Sequence, residues 1–207
     1  MKNIALALVA MIGFSGAALA QGDAAAGETK SVTCVACHGA DGNAPTDLYP
    51  KLAGQHPKYL EKQLKEFKLA METGGEKGRN NAIMGGMVAG LTEQDMADLA
   101  AFYGSKTMSP ATTPADVVEV GQKLYMGGDA ARGIPGCAAC HGPRGEGTEL
   151  SGFPKLSSQH PAYLKAQLEL FRSGERNNDM NGMMHDIAKK LTDEDIVILS
   201  KYIAGLH

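Results

Sequence analysis

The 207-residue sequence contains no tryptophan, and aromatic residues make up only 5% of it. A small domain with so few aromatic side chains needs another source of buried apolar mass, and a bound cofactor would fit that need. The sequence also lacks an excess of basic charge, since its formal net charge is -3 and the charge is balanced between its two halves. Nucleic acid is therefore not expected as a partner.

No long apolar run occurs beyond the first twenty residues. These residues combine an early Lys2, an apolar stretch over 4–18 and the sequence Ala18-Leu19-Ala20, which is typical of a secretory signal with an A-x-A cleavage site. The apolar stretch is shorter than the roughly 20 residues that a membrane span needs. We therefore expect residues 1–20 to be a cleaved signal peptide and the mature, exported and soluble chain to start at Gln21.

The sequence does contain an internal duplication. Residues 51–67 align without gaps on residues 155–171, and ten of the seventeen positions are identical. LTEQD at 91–95 aligns on LTDED at 191–195, and a Cys-x-x-Cys-His element precedes each set. Such a repeat indicates one structural unit that is used twice.

The two copies are separated by a short segment without helical character. Residues 105–114 hold two prolines and several small polar residues, which is typical of a linker. We therefore predict an N-terminal domain over 21–108, a linker over 109–114 and a C-terminal domain over 115–207.

Both units are predicted to be mostly helical, and the fold class is all-α. Pro57 suits the first position of a long helix, and Thr92 suits an N-cap with an acid three residues later at Asp95. No segment alternates with the period of a strand. Residues 74–90 and the equivalent stretch from Gly174 are predicted to be loops. The predicted helices are 23–34, 57–71, a last helix from 92, 114–126, 161–174 and 192–206.

The Cys-x-x-Cys-His elements leave several kinds of site open. In an exported protein the default for four cysteines is disulfides, but a disulfide would not explain the histidine that follows each pair. A structural zinc site needs four ligands, and neither unit offers a second cysteine pair. A thioredoxin-like dithiol needs a strand-to-helix context, which the helical pattern does not provide.

A c-type haem explains the spacing and the histidine together. Two thiols three positions apart can each add to one vinyl group of the same porphyrin, and the next residue then lies under the iron as its proximal ligand. Two such elements in matching places predict two covalently bound haem c groups. The predicted attachment residues are Cys34, Cys37, Cys137 and Cys140, and the predicted iron ligands are His38 and His141.

The sixth ligand of each iron decides whether a haem transfers electrons or binds other ligands. The candidates in the loops before the last helices are Met84, Met87, Met180, Met183, Met184 and His185. The offset of 100 positions that places Leu91 on Leu191 also places Met84 on Met184, and in these loops only that pair is methionine in both copies. We therefore predict Met84 and Met184. Met87 and Met183 are the runners-up, and His185 would give the second haem two histidine ligands.

Three further pairs of residues recur in the two units. His56 and His160 either approach a haem edge or propionate or cap the entry to the long helix. Arg79 and Arg176 each precede two asparagines and are hypothesised to pair with haem propionates, since arginine binds carboxylates well. Tyr59 and Tyr163 are predicted to be core residues.

These features together resemble the dihaem cytochrome c4 family. The resemblance rests on the two Cys-x-x-Cys-His units, KLAGQHPKYL, KLSSQHPAYL, the closing LTDEDIVILSKYIAGLH and the leader, and it covers essentially all of the mature chain. It implies two tandem class-I-like cytochrome c domains about a pseudo-twofold axis, with the propionate edges of the haems facing each other. The ligands it implies are His38 with Met84 and His141 with Met184.

The resemblance also implies a function. Family members are periplasmic carriers that pass electrons from the bc1 complex or its cytochrome c1 toward a terminal oxidase, often of the cbb3 type. We expect a monomer that is not an enzyme and that can associate peripherally with the membrane. Alternatives are the dihaem subunit of a flavoprotein sulfide dehydrogenase, or a dihaem enzyme such as a peroxidase or a thiosulfate-oxidising protein. Family members are often strongly uneven in charge between halves, and this sequence is not.

Overall fold

The computed structural model describes residues 22–207, so the predicted signal peptide lies outside the described residues. Within that range the chain forms ten α-helices and three single-turn 3-10 segments. The α-helices are α1 Ala24–Lys30, α2 Val35–His38, α3 Pro57–Glu72, α4 Ala82–Val88, α5 Glu93–Gly104, α6 Val118–Gly127, α7 Ala138–His141, α8 Pro161–Ser173, α9 Met183–Ala188 and α10 Asp193–Ala204. The 3-10 segments are Ser31–Thr33, Ala115–Val117 and Met180–Gly182.

The predicted all-α class is confirmed. Across residues 22–207 the only β-type pairings are two isolated bridges, Asp129 with Ile134 and Thr148 with Phe153. Pro57 and Pro161 occupy the start of α3 and α8, as predicted. Thr92 and Thr192 each form a capping box with the acid three residues later, which satisfies backbone N–H groups at the start of α5 and α10.

The prediction of loops before the last helices is wrong in part, because each of these stretches contains a short helix. The side chain of Asn81 accepts a hydrogen bond from the Met84 N–H and caps α4. At the equivalent place, Asp179 accepts hydrogen bonds from the N–H groups of Met184 and His185 at the start of α9. Gly85 and Gly86 lower the helix propensity of α4, and Gly182 interrupts the sequence directly before α9, so the local composition suggested loops.

In both halves the first helix crosses the last helix at a glycine. A Cβ atom on Gly27 of α1 would lie 2.1 Å from the carbonyl oxygen of Asp98 in α5. A Cβ atom on Gly121 of α6 would lie 2.5 Å from the Cβ of Tyr202 in α10. Only a residue without a side chain allows these backbones to approach so closely, and the same crossing therefore occurs in both copies.

Alanine at Gly27 is expected to lower the free energy of unfolding by about 3 kcal/mol, at the upper end of overpacking in a filled core. The reason is that its methyl group would overlap the Asp98 carbonyl, which is backbone and cannot rotate away. Guanidinium denaturation followed by circular dichroism measures the change. Gly127→Ala is the control, since a Cβ there meets nothing within 4 Å. Equal stability of the two variants would contradict this packing.

Each half builds its own apolar core around these crossings. In the N-terminal half, one cluster contains Leu60, Leu99, Phe102 and Tyr103, and a second contains Phe67, Val88 and Met96. In the C-terminal half, a single cluster centres on α10 with Ile196, Leu199 and Ile203. Residues 107–114 connect the halves without regular structure. Among the helices of residues 22–207, none has the length and apolar character to span a bilayer.

Candidate functional site

The short helices α2 and α7 carry the two Cys-x-x-Cys-His elements and hold their histidines in the same way. His38 is hydrogen-bonded through Nδ1 to the carbonyl oxygen of Pro50 at 2.9 Å. His141 is hydrogen-bonded through Nδ1 to the carbonyl oxygen of Pro154 at 3.0 Å. Both side chains are buried, with 7% of each residue exposed. The sequence therefore places two equivalent imidazole rings in fixed orientations.

These hydrogen bonds determine which ring nitrogen is available. A ring whose Nδ1 donates to a carbonyl oxygen keeps the lone pair of Nε2 for a metal ion. Burial lowers the pKa of His38 and of His141 and outweighs the opposite effect of the carbonyl contact. Both rings therefore favour the neutral form that a metal requires.

A glycine follows each of these histidines because the backbone turns sharply there. Gly39 has φ of 78° and Gly142 has φ of 77°, a region that residues with a side chain rarely adopt. A Cβ on Gly39 would also lie 2.7 Å from the carbonyl oxygen of Asn43. This turn ends the short helix directly after the histidine.

The four cysteines are free and half-buried, so the described residues contain no disulfide. Burial raises the pKa of the Cys34 thiol, and it raises the pKa of the Cys137 thiol to about 11. Thiols with raised pKa values stay protonated, whereas redox-active dithiols have lowered values. Cys34 and Cys137 therefore differ from the reactive thiol of a catalytic dithiol, and all four thiols are free for covalent attachment.

Met84 lies on the same apolar region as the first cysteine pair. Cys34 packs against one cluster of the N-terminal half and Met84 against the other. Leu64 and Leu91 contact both clusters, so they link the two predicted residues of the first site. The runner-up Met87 is 43% exposed, whereas Met84 is half-buried.

The predicted methionine of the second half also lies at the start of a capped helix, with a different capping side chain. The N–H of Met184 donates to Oδ2 of Asp179 at 2.7 Å, where the first site has Asn81. Met184 is half-buried, and the runner-up Met183 is 37% exposed. His185 is hydrogen-bonded through Nδ1 to the carbonyl oxygen of Phe171 at 2.7 Å, which holds its ring against the end of α8.

The residues present fit a covalently attached haem. Each half offers two free thiols, an anchored imidazole with Nε2 available, and a half-buried thioether. The buried hydroxyl of Tyr103, which packs in the cluster next to Cys34, has no hydrogen-bond partner in residues 22–207. This donor set of soft sulfur and imidazole nitrogen is the one that low-spin haem iron accepts.

The two halves bind each other through reciprocal glutamine contacts. Nε2 of Gln55 donates to the carbonyl oxygen of Lys155, and the Lys155 N–H donates back to Oε1 of Gln55, at 2.8 and 2.9 Å. Gln159 makes the same two contacts with the backbone of Lys51, both at 2.9 Å. Exchange of equivalent contacts is what an approximate twofold axis between the halves produces.

The repeated histidines also lie at this interface. Nε2 of His56 is hydrogen-bonded to the carbonyl oxygen of Glu146 at 2.9 Å, and Nε2 of His160 to that of Ala44 at 3.1 Å. Neither side chain caps its helix. Of the two roles considered for these histidines, a side-chain cap on the long helix is therefore wrong, because their rings are hydrogen-bonded to the other half.

Arg79 and Arg176 form a buried polar network between α3 and α8. Arg79 donates to the Tyr163 hydroxyl at 3.1 Å, and Arg176 donates to the Tyr59 hydroxyl at 3.0 Å. Both guanidinium groups also donate to Oε1 of Gln167 and of Gln63. Burial acts to raise the pKa of Tyr59, but the nearby Arg176 and Arg79 outweigh it and lower the pKa.

The prediction that Tyr59 and Tyr163 are core residues is therefore wrong. They are half-buried, and their hydroxyls accept hydrogen bonds from an arginine of the opposite half. One sequence feature indicates this role: a tyrosine and a glutamine four positions apart occur at the same place in both long helices. Residues with this spacing share one helix face, and a polar pair repeated next to an apolar stripe marks a second contact surface.

Gln55→Ala is expected to lower the free energy of unfolding by about 2 kcal/mol, since it leaves the half-buried N–H and C=O of Lys155 without partners. Gln159→Ala should cost a similar amount because it removes the equivalent contacts with Lys51. Calorimetry or denaturant titration measures both. The control is Gln122→Ala on the exposed side of α6, expected within about 0.5 kcal/mol of the parent. An equally small change at Gln55 would contradict the role of this contact.

Comparison with known proteins agrees with this arrangement. The cytochrome c family model matches the chain twice, over residues 20–105 and 118–207. Cytochrome c4 from Azotobacter vinelandii is 43% identical over 210 aligned positions, which cover 100% of both chains. The chain belongs to the cytochrome c4 family. It is a dihaem electron-transfer cytochrome with two covalently bound haem c groups.

Two further proteins are similar to this chain. The crystal structure of reduced cytochrome c4 from Pseudomonas stutzeri is similar with a TM-score of 0.87 and 44% identity, over 90% of this chain and 100% of that one. A thiosulfate dehydrogenase electron acceptor from Thiomonas intermedia is 36% identical, over 87% of this chain and 82% of its own length. The two-domain, all-α organisation predicted from the duplication is thus confirmed.

Proposed function

We propose that the chain is a periplasmic electron carrier between the bc1 complex and a terminal oxidase of the cbb3 type, and that it is not itself an enzyme. The observation that carries the proposal is the pair of equivalent Cys-x-x-Cys-His elements, each with a buried, anchored histidine, in two halves that each also contain a half-buried methionine. A carrier needs closed iron sites, whereas a peroxidase needs an open position with polar groups above it.

The proposed attachment residues are Cys34 and Cys37 in the N-terminal domain, and Cys137 and Cys140 in the C-terminal domain. The proposed axial ligands are His38 with Met84 and His141 with Met184. The domains are proposed to span 21–108 and 115–207, with residues 109–114 between them. This assignment rests on the anchored imidazole rings, on the exposure of Met87 and Met183, and on the contact of His185 with Phe171.

The residues of the chain have plain roles in this function. Bound haem c supplies reversible one-electron exchange at its iron. His38 and His141 present Nε2 and are held in place through Nδ1. Methionine ligation and an apolar surround favour the reduced state and raise the potential. The clusters around Leu60, Phe67 and Ile196 exclude water from the sites, so little reorganisation accompanies the gain or loss of an electron.

The interface between the halves keeps the two sites in a fixed relation. The glutamine and arginine contacts described above join α3, α8 and the segments that precede them. A carrier of this kind meets its partners through small, transient surfaces, and we propose that it works as a monomer with peripheral membrane association. The even charge of its halves assigns neither half to a particular partner.

A second candidate function is acceptance of electrons from a thiosulfate-oxidising enzyme. It is favoured by one observation, the relative from Thiomonas intermedia that is described as a thiosulfate dehydrogenase electron acceptor. The cytochrome c4 relatives cover the full chain at higher identity, which is why the route from the bc1 complex ranks first.

Electron delivery in both directions tests the proposal. The purified dihaem protein is mixed with quinol and bc1-containing membranes, and separately with cbb3-containing membranes, and its absorbance is followed. We expect rapid reduction in the first mixture and rapid oxidation in the second. Slow reduction by bc1 membranes together with rapid reduction by a thiosulfate dehydrogenase and thiosulfate would select the second candidate. Turnover of hydrogen peroxide or thiosulfate by the protein alone would refute the carrier role.

A further inference from the structure

Two arginines lie side by side in the interface between the halves without an acidic partner. Arg79 is 9% exposed and Arg176 is 7% exposed. Both donate to Oε1 of Gln167, at 2.6 and 2.8 Å, so one acceptor atom joins the two guanidinium groups. Their remaining side-chain acceptors in residues 22–207 are amide and hydroxyl oxygens. No ion pair in that part of the chain includes either arginine.

This arrangement is electrostatically incomplete. A buried charge without an opposite charge is costly, and two like charges that share one acceptor also repel each other. Neutral acceptors such as Gln63 and Gln167 solvate a guanidinium group but do not neutralise it. An anion close to both arginines would therefore stabilise this part of the interface.

A cavity of about 220 Å³ lies next to both groups. Arg79 and Arg176 line it together with Asn80, Asn81, Asn177 and Glu175. The hydrogen bonds of Arg79 use Nη1 and Nη2, so its Nε has no acceptor among the described residues. Guanidinium and amide N–H groups around one cavity are the donors that carboxylates and small oxyanions require.

We propose that this cavity is an anion site, in which anionic oxygens lie between Arg79 of the N-terminal half and Arg176 of the C-terminal half. The anion completes the charge balance of the interface and ties the halves together. Two sources carry this chemistry, namely the carboxylate groups of the haems and a small oxyanion from solution such as phosphate. The first source rests on the proposed dihaem sites, and the second does not.

Substitutions at different residues can weaken or strengthen anion binding in this cavity separately. Glu175 lines the cavity from an exposed position, and its carboxylate accepts a hydrogen bond from the Ser173 hydroxyl. Glu175→Gln removes a negative charge from the rim without disturbing a buried group. Arg79→Gln and Arg176→Gln remove one positive charge each, and Arg79→Lys keeps the charge. Lys123→Gln, an exposed change on α6 outside the cavity, is the matched control.

The first arm of the test is a phosphate titration of the purified dihaem protein at constant ionic strength, followed by phosphorus NMR line width and by thermal melting. If a free oxyanion occupies the site, binding is saturable and Arg79→Gln and Arg176→Gln each weaken it about tenfold or more. Glu175→Gln strengthens the binding, and Lys123→Gln leaves it unchanged.

The second arm measures the haem propionate bands in resonance Raman spectra and the two midpoint potentials. If the haem carboxylates are the anions, phosphate has no effect. Arg79→Gln and Arg176→Gln then shift the propionate bands and lower the potentials, since loss of a nearby positive charge favours the oxidised iron, and Arg79→Lys shifts them less.

Absence of saturable phosphate binding, combined with unchanged bands and potentials in the folded arginine variants, would overturn the proposal. Should one arginine variant fail to fold, the other variant and Glu175→Gln still decide it. Haem content, measured first on every sample, tests the dihaem function separately.

Discussion

Alanine at both Cys34 and Cys37 is expected to leave one covalently bound haem per chain where the parent has two. These thiols are the only ones in the N-terminal half, so no other side chain there can form a thioether bond. The C-terminal half has its own core around α10 and its own anchored His141. It should therefore keep its haem, and the pyridine haemochrome signal per chain should fall by half.

The internal duplication allows the equivalent experiment in the C-terminal half. Alanine at Cys137 and Cys140 should also leave one haem, and the four-fold variant should leave none. The two double variants differ in which haem remains, so their optical spectra should add up to that of the parent. Retention of two covalent haems by either double variant would show that the attachment residues are wrongly assigned.

Met84→Ala and Met184→Ala are each expected to abolish the methionine–iron signature of one haem and to lower its midpoint potential by more than about 0.1 V. The reason is that the axial ligand is a principal determinant of potential, with a range of about 0.8 V across ligand types. Each substitution keeps the helix cap, because Asn81 and Asp179 bind backbone N–H groups rather than the thioethers. The readouts are the long-wavelength charge-transfer band of the oxidised protein and a potentiometric titration.

The neighbouring methionines serve as controls for this prediction. Met87 is 43% exposed and Met183 is 37% exposed. Their replacement by alanine should leave the methionine–iron bands of both haems unchanged. If the methionine–iron band of the second haem survives Met184→Ala but disappears in Met183→Ala, the axial ligand is Met183 rather than Met184. A second haem with no methionine band in the parent and an altered spectrum in His185→Ala would instead indicate two histidine ligands.

The chemistry of the two sites was accessible from the sequence because it is local. Cys34, Cys37 and His38 are close along the chain, so their spacing alone describes one attachment site. Met84 is distant from His38, but the fixed offset to Met184 selected it without knowledge of the fold. The long helices and the capping boxes at Thr92 and Thr192 were equally local signals, and the structure contains them as predicted.

The contacts between the halves were not accessible in the same way. A repeated residue such as His56 has two possible surroundings, its own half or the other half, and the sequence is the same in both cases. The structure shows that His56 and Gln55 reach the other half. The same ambiguity led to Tyr59 being assigned to a core, although its hydroxyl accepts a hydrogen bond from Arg176.

Short methionine-containing helices in or next to glycine-containing stretches are the other class of error. Gly85 and Gly86 lower the helix propensity of α4, and Gly182 lies directly before α9. The stability of each helix depends on a single capping side chain and on packing against α3 or α8. Asn81 and Asp179 differ in identity, so comparison of the two copies did not reveal the shared cap. Only the three-dimensional structure shows that both side chains perform the same task.

A potentiometric titration of the purified protein with an optical spectrum at each step tests the carrier function most directly. We expect two one-electron transitions, a methionine–iron band for both oxidised haems, and a reduced protein that is six-coordinate and binds carbon monoxide slowly. A reduced spectrum with a five-coordinate haem, or rapid binding of carbon monoxide to the native protein, would instead indicate an open iron site and contradict the role of an electron carrier.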